Sequence, residues 1–263
     1  MQHVAHVAES DRLRVDAVVL KLSDVLILRG VSLAVEPART LGLLGANGSG
    51  KSSLLNVVSG YYRPSAGSVR LDGIDMAGRS PARVAASGVG RSFQSIGRME
   101  DLTVLENVLL GLEPVWRARG LAAVLGLPSS RRAEAEARQR ASQIIAEFDL
   151  AAYRDRLLSA CPYGVRKVAD LLRAMVSSPR LLLLDEPTSG VSTDDRRHIL
   201  ELIRAWTART NCSTVVVDHD IEFVSALADS VVALVGGSVV ASGAVAEVLG
   251  NEQVLATFVG SAK

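Results

Sequence analysis

The chain has 263 residues, 48% of them hydrophobic, and 29 Lys and Arg against 28 Asp and Glu leave a net charge of +1. At about 150 residues per domain this length predicts one large domain or two smaller ones sharing an interface, and the charge balance excludes a whole-molecule field that would attract nucleic acid or an anionic membrane. Mean hydropathy is high at +0.26 while aromatic residues make up only 4%, so the apolar content is aliphatic, as in a parallel sheet buried on both faces.

A membrane span needs roughly 18 or more apolar residues with few charges. The best candidate, residues 231–249, is broken by Gly236, Gly237, Ser238, Ser242, Gly243 and Glu247 and reads as two short strands around a glycine turn. Residues 1–16 include His3, His6, Glu9, Asp11, Arg12 and Arg14 and lack an apolar run. No secretory signal is therefore expected, and the expected location is the cytoplasm. Cys161 and Cys212 have no CxxC spacing, which points to reduced thiols and away from zinc or a disulfide framework.

In chain order, residues 17–22, 24–28 and 31–35 are brief β-rich runs, and 40–44 is a buried strand entering a loop at Gly45. A helix over 51–59 stops at Gly60, residues 68–71 lead into an Asp72-Gly73 turn, and 89–93 is a further strand. From about 97 to 177 the pattern turns helical. Over 132–148, Ala133, Ala137, Ala141, Ile144, Ile145 and Phe148 form one stripe, with Glu134/Arg138 and Glu136/Arg140 as expected pairs on the wet face. The interleaved glutamates argue that the arginines there are a solvated face and not a nucleic-acid patch. Residues 167–177 form a second amphipathic helix, closed by Pro179. Strand and helix then alternate: strand 180–184, helix 194–210 with Thr193 as N-cap, strand 213–217, helix 221–228, and a hairpin of 230–235 with 238–242. The helical block thus reads as an insertion in an α/β domain.

Gly45-Ala46-Asn47-Gly48-Ser49-Gly50-Lys51-Ser52 matches the P-loop pattern between an apolar strand and a helix. Glycines let backbone N–H groups turn inward around phosphate oxygens, the helix N-terminus adds its positive end, Lys51 reaches the β- and γ-phosphates, and Ser52 can ligate Mg²⁺. Leu181-Leu182-Leu183-Leu184-Asp185-Glu186 ends an apolar strand in two carboxylates. Alone it is a buried strand meeting solvent; beside a P-loop, Asp185 suits Mg²⁺ and Glu186 can orient and deprotonate the attacking water. His219, at the end of another apolar strand, is placed to hydrogen-bond the γ-phosphate. Gln94 ends the 89–93 run and can touch Mg²⁺ or the water.

With these positions in hand, the chain resembles the ATP-binding subunit of an ABC transporter over essentially its whole length. The resemblance implies an α/β P-loop cassette with an N-terminal antiparallel β subdomain and an inserted helical subdomain at 97–177, the nucleotide-binding core being 1–96 and 178–263. It carries ATP binding to Gly45, Ala46, Asn47, Gly48, Ser49, Gly50, Lys51, Ser52, Ser53 and Gln94, Mg²⁺ to Ser52, Gln94 and Asp185, and catalysis to Glu186 and His219. Gly90-Arg91-Ser92-Phe93-Gln94, Leu102-Thr103-Val104-Leu105-Glu106-Asn107-Val108 and Thr257-Phe258-Val259-Gly260 look like the branched-chain amino acid or urea type of uptake ATPase.

Where that family has Leu-Ser-Gly-Gly-Gln, this chain has Cys161-Pro162-Tyr163-Gly164-Val165, so only Gly164 keeps its identity as a contact to a partner's ATP. Ser192 stands where an aspartate is usual. No aromatic residue lies near Leu22, where many relatives stack adenine, and aliphatic support would forgo ~1–3 kcal/mol by analogy with base stacking. The resemblance implies two cassettes sandwiching two ATPs, and the weakened signature points to an asymmetric heterodimer with a second ATPase subunit. Further implied partners are two transmembrane permease subunits docked on the helical block and an extracytoplasmic solute-binding protein, with the chain peripheral on the cytoplasmic membrane face and no nucleic acid. The absence of an Asn-Lys-x-Asp motif argues against a GTPase. The remaining alternative is a module in which ATP gates assembly without efficient turnover.

Overall fold

The structure, a computed structural model, describes residues 11–92, 99–112, 128–251 and 254. β1 (Leu13–Leu22) and β2 (Val25–Val35) form an antiparallel hairpin, and β4 (Ala66–Leu71) with β5 (Ile74–Asp75) extends it to the order β2-β1-β4-β5. The runs expected separately at 24–28 and 31–35 are one strand. Gly30 is the extra residue of a bulge: Val18 pairs with Val31, Val19 with Arg29, and Gly30 sits between at φ +81.

The second sheet has the order β10-β9-β3-β8-β7-β6. Five strands run parallel: β3 (Thr40–Leu44), β6 (Val89–Arg91), β7 (Leu181–Asp185), β8 (Ser213–Val217) and β9 (Ser230–Val235). β10 (Ser238–Gly243) returns antiparallel after Gly236 and Gly237, both at positive φ. Every residue of β3, β7 and β8 is buried. Successive side chains of a strand enter opposite faces, so Leu181 and Leu183 join a core with α1 (Lys51–Val58) and the antiparallel sheet, while Leu182 and Leu184 join a core with the helices. Two apolar faces per strand account for the aliphatic composition.

Between β6 and β7 lie α3 (Val104–Leu110), α4 (Pro128–Glu147) and α5 (Tyr163–Met175), preceded by α2 (Pro81–Ala86) before β6. After β7 come α6 (Thr193–Thr210), α7 (Ile221–Leu227) and α8 (Val245–Leu249). The stripe of α4 is buried at Ala137, Ala141, Ile144 and Ile145, and Phe148 continues it. Glu134 pairs with Arg138 as expected, but Glu136 takes Arg132 instead, because Arg140 reaches across to the Ser178 hydroxyl. The N-cap of α6 is Ser192, whose hydroxyl accepts from the Asp195 N–H; Thr193 is already helical. α5 begins at Tyr163, directly after Pro162, four residues earlier than the periodicity had placed it. The short α2 went unread although Ser80 followed by Pro81 is a start signal, Pro being tolerated at the first helical position. Among the described residues no helix is long and apolar enough to cross a membrane.

Candidate active site

Because β3, β8, β7 and β6 are parallel neighbours, their carboxyl ends share one edge of the sheet, where open α/β sheets bind ligands. β3 delivers the loop 45–50. Gly45 has φ +149, and a Cβ there would meet the Leu234 carbonyl at 2.3 Å. Gly50, at φ +104, caps α1 and lies under Leu28 of β2, so neither position accommodates a side chain. Ala46, Asn47 and Gly48 form the more open rim. The first turn of α1 has neither a side-chain cap nor an acidic residue, leaving its N–H groups to an incoming acceptor. The Ser49 hydroxyl is buried with no hydrogen-bond partner among the described residues. Lys51 is buried, and its Nζ donates to the Gly45 and Ala46 carbonyls at 2.7 and 2.9 Å. Burial pulls its pKa down, opposed by the Glu186 and Asp185 charges. Each of these features fits a polyphosphate.

Ser52, exposed beside Ser53 in the first turn of α1, donates to Asp185 Oδ1 at 3.4 Å. Burial raises the Asp185 pKa above the usual carboxylate range, and the Arg91 guanidinium, 3.2 Å from Oδ2, opposes that. The Asp185 N–H donates to the Ser92 hydroxyl, tying β7 to the end of β6. Among the described residues no group of three or more His, Cys, Asp or Glu could hold a metal. A hydroxyl and one carboxylate are hard oxygen donors of the kind that bind Mg²⁺ when phosphates and waters complete its shell, so the residues present fit that ion.

Glu186 follows at φ +51, a left-handed backbone that a non-glycine residue adopts at a cost of about 1–3 kcal/mol. Its N–H donates to Val217 O at 2.7 Å, and its Oε1 lies 2.7 Å from His219 Nε2. Thr188 Oγ1 donates to Asp218 at 2.6 Å, clamping the loop after β7 to the loop after β8. The structure therefore brings Lys51, Ser52, Asp185, Glu186 and His219 to one edge.

The signature-like residues lie elsewhere, at the start of α5. A Cβ at Gly164 would meet the Asp195 carboxylate at 2.8 Å, so glycine permits the close approach of α5 and α6. The Tyr163 hydroxyl donates to the Ser189 carbonyl at 3.2 Å. Ser192, in place of the usual aspartate, caps α6, a task at which Ser and Asp are comparable. Gln94 lies outside the described residues, as do Phe93 and the Thr257-Gly260 run. Leu22, paired with Val25 across the hairpin, packs on the β-subdomain core, with no aromatic residue in the hairpin turn.

Two residues were missed as participants. In the sequence Arg91 stands only as part of a motif, and Lys167 only as the start of a helix. Lys167 shares its helix with Asp170 and Arg173, which are buried too, so its residue type carried no distinct signal; Arg91, the last residue of a three-residue strand, carried none either.

A family model described as ABC transporter matches residues 28–189. Over 250 residues the chain is 29% identical to the high-affinity branched-chain amino acid transport ATP-binding protein BraF of Pseudomonas aeruginosa, an alignment covering 95% of this chain and 98% of that protein. It is 34% identical over 239 residues to the phosphonates import ATP-binding protein PhnC of Chromohalobacter salexigens, covering 89% and 84%. The crystal structure of the ADP conformation of an ATP-binding cassette of an ABC transporter superposes with a TM-score of 0.82 at 25% identity, covering 95% and 99%.

Proposed function

This chain belongs to the ABC transporter family, and we propose that its ATP hydrolysis powers import of a branched-chain amino acid or related solute through separate membrane subunits. The observation that carries the reading is the meeting of Glu186 and His219 at 2.7 Å on the sheet edge that also holds Lys51, Ser52 and Asp185. The solute class rests on the resemblance to BraF over 95% of the chain.

In the proposed mechanism the backbone N–H groups of 45–51, the Ser49 hydroxyl and Ser53 hold the phosphates, and Lys51 leaves its loop carbonyls to pair with the β- and γ-phosphates. Ser52 and Asp185, with Gln94, would hold Mg²⁺, which when bound neutralises charge on the β- and γ-phosphate oxygens. Glu186 takes a proton from the attacking water as its oxygen bonds to the γ-phosphorus; the bond to the β–γ bridging oxygen breaks, giving ADP and phosphate. His219 orients Glu186 and hydrogen-bonds the γ-phosphate. Adenine rests on aliphatic surface near Leu22.

Residues 1–96 and 178–263 act as the nucleotide-binding core and 97–177 as the helical subdomain that docks two permease subunits. A groove of about 370 Å³, lined in part by Tyr61, Ala82, Ala85, Leu110, Gly111 and Arg173, supports docking at the junction of the two parts. Pro162 and Val165 weaken what this chain offers a partner's ATP, favouring a heterodimer with a second ATPase in which Gly164 is the retained signature contact. A solute-binding protein outside the membrane would deliver the solute, and the chain would sit on the cytoplasmic membrane face. Vesicles containing the assembled complex should take up a labelled branched-chain amino acid only with internal ATP. Uptake without ATP, or of phosphonate instead, contradicts the reading. The same degenerate signature favours a second reading, an ATP-gated binding module without efficient turnover.

A further inference from the structure

Lys167 lies on α5 and is only 5% exposed. Its Nζ donates to the backbone carbonyl of Glu186 at 3.2 Å and stands 5.9 Å from the centroid of the Tyr163 ring. Burial pulls its pKa down, while Asp170 on its own helix, Asp218 after β8 and Glu186 after β7 favour the charged form. Burying an ammonium is costly unless it is paired and hydrogen-bonded. An apolar side chain would fill the same space without that cost, so the ammonium has work that packing does not explain.

That work is visible at Glu186. The residue is held in the left-handed region at φ +51. Such a backbone persists only where its surroundings over-determine it. Several contacts do so: the Val217 carbonyl of β8 accepts its N–H, His219 meets its carboxylate, and its carbonyl accepts from both the Ser189 N–H and the Lys167 ammonium of α5, each at 3.2 Å. Lys167 is the side chain that, together with the Ser189 N–H of the local turn, fixes the peptide plane on the C-terminal side, and it ties that plane to α5.

We propose that Lys167 is a positioning residue for ATP hydrolysis: its ammonium holds the Glu186 carbonyl and so aims the carboxylate at the water. The proposal rests on the reading of Glu186 as the base. α5 starts at Tyr163, inside the signature-like segment 161–165, so that segment and the hold on Glu186 belong to one helix.

The test is steady-state ATPase kinetics of the assembled transporter carrying Lys167→Met, Lys167→Gln, Lys167→Arg or Glu186→Gln, with thermal unfolding of each purified chain. Misplacing a reacting group by about 1 Å costs on the order of 100-fold, so Lys167→Met and Lys167→Gln are expected to lower kcat at least about tenfold. KM for ATP should stay within about threefold, since binding does not use Glu186. Lys167→Arg, which keeps a donor, should recover most of kcat. A kcat within about twofold of wild type in any folded Met or Gln variant overturns the proposal, as does a rise in KM that matches the fall in kcat. If Lys167→Met fails to fold, Lys167→Gln against Lys167→Arg decides by the same criteria. Turnover that survives Glu186→Gln overturns the reading of the base itself, whereas loss there with wild-type kinetics for Lys167→Gln overturns only the role of Lys167.

Discussion

Arg91 and Asp185, 94 residues apart in sequence, meet at 3.2 Å with their side chains only 10% and 4% exposed. The same guanidinium donates to Asn56 Oδ1 and Ser59 Oγ, both at 2.7 Å, and lies 5.7 Å from the Tyr61 ring centroid. It joins β6, α1 and β7, and it also lines the groove in which a membrane subunit is proposed to dock. A lysine keeps the charge but cannot fork to three acceptors. Removing one partner of a buried pair costs about 3–5 kcal/mol, so Arg91→Met should lose about that much in chemical denaturation of the purified chain. Arg91→Lys should lose about 1–3 kcal/mol. Equal stability of Arg91→Met and wild type would show that the pair is not structural.

The start of α3 provides a pH-dependent test. Thr103 and Glu106 form a reciprocal cap: the Thr103 N–H donates to the Glu106 carboxylate at 2.8 Å, and the Glu106 N–H donates to Thr103 Oγ1 at 3.2 Å. Hydrogen bonds from the Thr103 backbone, then from its hydroxyl, hold the Glu106 pKa below the ordinary 4.5. The folded pKa being the lower one, the stabilisation is fully present above the unfolded value and is lost as pH falls through the folded value. Thermal midpoints of wild type and Glu106→Gln should therefore differ most above pH 4.5 and converge as the pH is lowered further. A difference that stays constant throughout would mean that the cap does not depend on the charge.

Both cysteines are buried, and burial raises both thiol pKa values, that of Cys212 to about 12. Thiolate is the reactive form. At pH 8 neither thiol should react with a disulfide reagent in the native chain, and both should react once it is denatured. Fast native labelling of Cys212 would contradict its placement beside β8.

Much of this site was legible because its residues are consecutive or end apolar runs. The strands at 40–44, 213–217 and 230–235 match the reading residue for residue, since full burial leaves an uninterrupted aliphatic signature. What the sequence concealed is tertiary. Nothing local says that Arg140 will prefer Ser178 to Glu136, that Gly30 will bulge inside one strand, or that Arg91 will find Asp185 on the neighbouring strand β7, with α3, α4 and α5 between them in sequence. Lys167 was hidden for a similar reason: its partner is a backbone carbonyl, which leaves no trace in residue identity.

The hairpin turn beside Leu22, proposed to support adenine, has no aromatic residue. Base–aromatic stacking supplies about 1–3 kcal/mol, and without it the phosphate grip dominates nucleotide affinity. Equilibrium binding should give dissociation constants for ATP and GTP within about fivefold of each other. A preference for ATP of about 100-fold or more would require a base-reading contact that the hairpin does not supply.

The central claim, that Glu186 is the base for ATP hydrolysis, is tested most directly by replacing it with glutamine and measuring ATP turnover in the complete transporter alongside ATP binding. General-base catalysis contributes roughly 10²–10⁴-fold, so the account predicts a loss of kcat of at least about 100-fold with ATP affinity essentially retained. Unchanged turnover would contradict it and leave the ATP-gated binding module as the better description.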